Sequence, residues 1–167
     1  MSFSLSSFSV VGFSGSRSPS PASLAAVGVA LSRVSSSAAV LVGCAAGVDQ
    51  AVRQSCPRAV VFSAAQFGSG RGSFAARSVA FVRSLASSGG CLVSFPSGAC
   101  PGLVQPSARP AACFCGGGSG SWASAALAVG LGVPVLLFAA AVPAWGFVSL
   151  GRGWWLYLPA VVQPSLL

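Results

Sequence analysis

The stretch Gly116–Phe138, GGGSGSWASAALAVGLGVPVLLF, decides how this chain is read. Three consecutive glycines and then Gly120 free the backbone to adopt positive φ and to bring its N–H groups close to a second molecule. The alanine- and leucine-rich run behind them favours helix. A glycine loop that opens a helix offers unpaired N–H groups and the positive end of the helix dipole, so its natural ligand is an anion, most often a phosphate. Val133-Pro-Val-Leu-Leu-Phe138 is short, apolar and rich in β formers, as expected of a strand buried on both faces. Loop, helix and strand together predict the phosphate-facing corner of a parallel α/β sheet.

Upstream, the same alternation repeats. Strands are predicted at Phe8–Gly12, Ala39–Gly43, Ala59–Ser63 and Cys91–Phe95. Helices are predicted from Pro21 to about Val34, capped by Ser20 or Ser18, from Asp49 to about Ser55, and from Ser73 or Phe74 to about Ser87. Residues 96–112 hold four prolines and no apolar period, which predicts a loop, and Ala112–Cys115 then reads as a short strand before the glycines. Phe147–Leu158, broken at Gly151-Arg-Gly153, predicts a small hairpin or a last strand at the sheet edge. The expected fold is a single Rossmann-like α/β domain over residues 1–167: a mostly parallel sheet flanked by helices on both faces, core 8–138, with a small C-terminal β extension at 147–159.

Composition narrows the chemistry. Lys, Glu, His, Asn, Thr and Ile are all absent, and every codon for each of them contains adenine; the gene is inferred to be nearly adenine-free in its sense strand. Without His, Glu or Lys there is no Ser-His-Asp triad, no carboxylate pair and no Schiff-base lysine. The six cysteines have no CxxC spacing, so no metal site is expected, and they read as free thiols of a cytoplasmic protein. No catalytic residue and no resident cofactor is assigned. A net charge of +8, all of it from nine arginines against the single acid Asp49, favours a polyanionic partner. Residues 122–150 are apolar and uncharged, yet Gly130, Gly132 and Pro134 at the centre argue against a membrane-spanning helix.

Candidate site residues fall in three loops. Gly15, Ser16 and Arg17 follow the first strand, at the sheet edge where open α/β folds bind ligands. Gly47 and Asp49 follow the second. Asp49 either complements the dipole of the helix it opens or accepts hydrogen bonds from a ribose hydroxyl or a base amine. Asp49, Gln50 and Gln54 crowd three adenine-requiring codons into six positions, which favours a role beyond capping. Gly117, Gly118, Ser119, Gly120 and Ser121 supply the third loop.

Gly12-Phe-Ser-Gly-Ser-Arg17, Gly43-Cys-Ala-Ala-Gly-Val-Asp49 and Gly117-Gly-Ser-Gly-Ser121, in this order, resemble the SLOG superfamily of Rossmann-like nucleotide-binding domains. Its members include the DNA-processing protein A (Smf) family and the LOG phosphoribohydrolases. The resemblance implies that these loops hold the phosphates and ribose of a nucleotide, and it adds Arg77 as the counterpart of an arginine on the preceding helix. It also sets Ser124 where the LOG pattern has its catalytic Glu. The expected function is therefore binding of a nucleotide or another phosphorylated small molecule without catalysis. Two alternatives stand beside it: single-stranded nucleic-acid binding akin to the DNA-processing proteins, and LOG-like hydrolysis of a nucleotide. The apolar surplus and the superfamily habit both lean towards a homo-oligomer.

Overall fold

The structure, a computed structural model, describes residues 3–160. Of the adenine-requiring positions, Met1 and Gln163 lie outside the described residues.

Among the described residues seven strands form one sheet in the order β3-β2-β1-β4-β5-β7-β6. Strands β1 (Val10–Gly15), β2 (Ala39–Gly43), β3 (Val60–Phe62), β4 (Cys91–Phe95) and β5 (Val135–Phe138) are parallel. β6 (Val148–Gly151) and β7 (Trp154–Tyr157) form the predicted hairpin, and β7 pairs antiparallel with β5, so the extension is hairpin and sheet edge at once.

Side chains alternate across the strands, as the pleat requires. Val11, Phe13, Val40, Val42, Val93, Phe95 and Leu136 face helices α1 (Pro21–Ser32) and α2 (Val48–Ser55). Leu41, Leu92, Val135 and Leu137 face α3 (Gly72–Ser88) and α5 (Gly120–Gly130) on the other side. The mostly parallel sheet with helices on both faces thus follows from strands that are apolar on both sides.

Helix starts obey local chemistry. Ser20 accepts a hydrogen bond from the Ser23 N–H and Pro21 supplies a pre-set φ at the first turn of α1. Ser119 accepts from the Trp122 N–H at the start of α5. α3 lies close on β1 because Gly12 has no side chain: a Cβ there would come within 2.6 Å of Leu85 Cδ1 and 2.8 Å of Phe81 Cζ.

Two expectations are corrected. The first strand begins two residues later than predicted, behind a single 3-10 turn at Leu5–Ser7, and runs on to Gly15. Residues 112–115 are not a strand; α4 (Pro110–Cys113) is one helical turn, opened by Pro110 and tied down by the Cys113 thiol, which donates to the Ser107 carbonyl at 3.4 Å. The apolar run from 122 to 150 is divided among α5, β5 and β6, and among the described residues no helix is long and apolar enough to cross a membrane.

Candidate functional site

In the order 3-2-1-4-5, the chain leaves β1 towards one edge of the sheet and β4 towards the other. Loops diverge at such a switch point and leave a crevice beyond the carboxyl ends of the two strands. Here the crevice is a cavity of about 630 Å³.

Its floor is the loop after β1. The Ser16 N–H donates to the Phe95 carbonyl at 2.9 Å, and the Ser97 hydroxyl donates to Ser16 Oγ at 2.9 Å, so the loops after β1 and β4 are stitched together. Arg17 projects beyond them, its guanidinium carbon 4.9 Å from the centre of the Phe74 ring on α3, a cation–π arrangement. The glycine loop forms the opposite wall, with Gly116 and Gly118 at φ +80° and +97°, and leads into the N-terminus of α5. Those backbone angles are open to glycine and strained for other residues.

Ten of the eleven predicted site residues line this one cavity: Gly15, Ser16, Arg17, Asp49, Arg77 and the run from Gly117 to Ser121. Gly47 does not. It sits beneath the first loop at φ +76°, where a side chain would collide with the backbone of Ser16 and Arg17, and the Val48 N–H after it donates to the Ser16 carbonyl at 3.0 Å. Its contribution is to let α2 approach the loop.

Asp49 and Arg77 meet inside the cavity wall. Arg77 Nη1 donates to Asp49 Oδ2 at 3.2 Å, and the same oxygen accepts the Ala45 N–H at 3.2 Å. Both side chains are largely buried, 12% and 5% exposed, and among the described residues Asp49 Oδ1 makes no hydrogen bond. The pair occupies the place of the side chain that Gly43 lacks, and Arg53 Nη1 covers the end of β2 by donating to the Gly43 carbonyl at 2.7 Å. Burial pushes the Asp49 carboxyl above the usual carboxylate range, against the opposing pull of Arg77, the Ala45 N–H and Arg53. Among the described residues Arg77 Nε is buried without a hydrogen-bond partner.

Ser124 also lines the cavity, one turn into α5, but its hydroxyl is committed to the Gly120 carbonyl at 2.9 Å. Among the described residues Asp49 is the one carboxylate in the wall. Among the described residues no group of three or more His, Cys, Asp or Glu side chains could hold a metal ion.

Several cavity residues escaped the sequence reading. Arg71, Phe74, Ser78, Ser97 and Cys115 all line it, and Arg17, Arg71, Phe74 and Gly118 continue into a second, more open recess beside the 68–71 loop. The Gly68-Ser-Gly-Arg-Gly72 run was a signal for Arg71; nothing local marks Ser97, which arrives through the pairing of β4 with β1.

No family model matches the chain, and no curated protein matches it. Among solved structures it is similar to DNA processing protein A from Helicobacter pylori, a structure reported for its single-stranded DNA binding mode. The two are 19% identical with a TM-score of 0.52, over 82% of this chain and 68% of that one. At this identity the likeness is one of fold: a Rossmann-like α/β sheet.

Proposed function

We propose that the crevice binds a phosphorylated nucleoside, in keeping with the resemblance of its three loops to the SLOG superfamily. One observation carries the reading: the glycine loop at the N-terminus of α5, the Ser16 loop and three guanidinium groups, Arg17, Arg71 and Arg77, line a single cavity at the switch point of the sheet. Backbone N–H groups and a helix N-terminus suit phosphate oxygens, and arginine matches them with a fork of donors. At about 630 Å³ the cavity is of ordinary size for a small-molecule site. Hydrolysis has weaker support, because a serine hydroxyl already bonded to a backbone carbonyl stands in place of the general acid or base.

Equilibrium binding of nucleoside mono-, di- and triphosphates tests this reading. Arg17→Ala should weaken whichever binds by about tenfold or more, the order of one charge-assisted hydrogen bond. If none binds at millimolar concentration, the reading is wrong.

A second reading, single-stranded nucleic acid, is favoured by the open recess that extends the cavity past Arg17, Phe74 and Arg71. A strand could lay phosphates against the two arginines and a base against the ring. The likeness in fold to DNA processing protein A is compatible with it. Its mark is salt: affinity falling steeply between low and moderate ionic strength, where a mononucleotide with one or two contacts shows a shallow slope.

A further inference from the structure

We infer that Asp49 governs the charge of the cavity: ionised, it pairs with Arg77 and holds anion affinity down; protonated, it leaves Arg77 to meet the anion, so binding draws a proton onto this carboxyl. The inference rests on the reading that the cavity takes an anionic ligand.

The geometry is that of a cation held in reserve. Among the described residues three guanidinium groups and one carboxylate line the cavity, and the carboxylate lies against the most buried guanidinium, Arg77, not against Arg17 or Arg71 at the open side. Asp49 Oδ2 engages one nitrogen of Arg77, while Arg77 Nε is buried with no acceptor among the described residues. The group therefore has donors that Asp49 does not satisfy. An anion brought beside the pair is attracted by Arg77 and repelled by Asp49 over nearly the same distance, in surroundings that screen charge poorly. Neutralising Asp49 removes the repulsion and leaves the attraction.

Charged neighbours act on Asp49 from each element packed around it. Arg77 faces it from α3, and Arg53 acts from its own helix. The loop after β2 offers the Ala45 N–H, while its one titratable group, the Cys44 thiol, accepts a hydrogen bond from the Ala64 N–H. Arg17 and Arg71 complete the ring around the cavity. Burial already biases the carboxyl towards its protonated form, so a ligand has only to continue that trend. Proton and anion then favour each other by one and the same factor, as linkage demands.

Titration of inorganic sulfate by calorimetry, from about pH 7 down to about pH 4 at constant ionic strength and in buffers of differing ionisation enthalpy, tests the inference. The chain has no His and no second side-chain carboxylate, and the termini titrate largely outside the middle of that range, so proton uptake reports Asp49. The wild-type protein should take up protons on binding, with affinity rising at least about fivefold as pH falls, the lower end of ordinary coupling between sites. Asp49→Asn should bind tightly at every pH with no uptake, and adding Arg77→Gln should reverse that gain. Should Asp49→Asn fail to fold, proton uptake by the wild type decides alone. Sulfate binding without uptake, or weaker binding by Asp49→Asn, overturns the inference and leaves the proposed function standing. If neither sulfate nor any nucleoside mono-, di- or triphosphate binds at any pH, both fall.

Discussion

Arg77 Nη1 lies 3.2 Å from Asp49 Oδ2, and the pair fills the volume that a side chain at position 43 would need. The end of β2, the start of α2 and the middle of α3 are thereby locked together at one point. Gly43→Ala should push the guanidinium and the carboxylate apart. A loss of about 1–3 kcal/mol is expected from such overpacking, read as a lower urea midpoint with unchanged m-value.

Arg77→Met leaves the Asp49 carboxylate buried with no partner on α3. Breaking a buried pair in this way costs about 3–5 kcal/mol when the remaining charge persists. The loss should be large at pH 7 and shrink in acid, where Asp49 carries a proton, so urea melts at two pH values check it.

The carboxyl of Asp49 sits above its unfolded value because burial outweighs its partners. In the window between the unfolded value near ~3.9 and the raised folded one, the native state binds more proton than the unfolded chain. Stability is therefore greatest below that window, falls as pH rises through it and levels off above. Most proteins lose stability in acid; this one should gain it. Denaturation curves at stepped pH test the trend, and Asp49→Asn should flatten it.

Gly28, on α1, has no atom of the described residues within 4 Å of where a Cβ would stand, and its φ is unexceptional. Gly28→Ala should therefore stabilise the protein by about 0.4–1 kcal/mol, through helix propensity and a less free unfolded chain. An unchanged or lowered melting temperature would contradict this.

Cysteine reactivity should divide by burial. The Cys91 thiol is buried in β4 and pushed up to about 12, whereas Cys115 is exposed on the cavity wall. Alkylation of the native protein followed by peptide mass spectrometry should label Cys115 and spare Cys91 until the chain unfolds. A bound ligand should slow labelling at Cys115.

Much of the fold was legible because it is written in contiguous runs. Val40-Leu-Val and Leu92-Val are apolar on both faces, and Ser20 is a cap in the expected place; the Ser119 cap of α5 was not foreseen. The site was legible where one loop made it, as with the glycines at 116–118. It was not where the sheet order made it: Ser97 and Ser16 stand 81 residues apart and meet only because β1 pairs with β4. Asp49 was assigned to a ligand's ribose or base, but one of its oxygens is taken by Arg77 and the Ala45 N–H, an arrangement that depends on how α3 packs. Cys113 looked like a strand residue because a single helical turn is too short to display a period.

Among the described residues the sheet has two free borders. One is β3, three residues long; the other is β6, four residues long, with an irregular register between Ser149 and Gly151 and Arg152 at the tip of its hairpin. Short, kinked and positively charged margins make poor templates for a neighbouring strand. In a chain so rich in aliphatic residues and so poor in charge, such margins disfavour edge-to-edge pairing, and straightening or lengthening β6 should favour it.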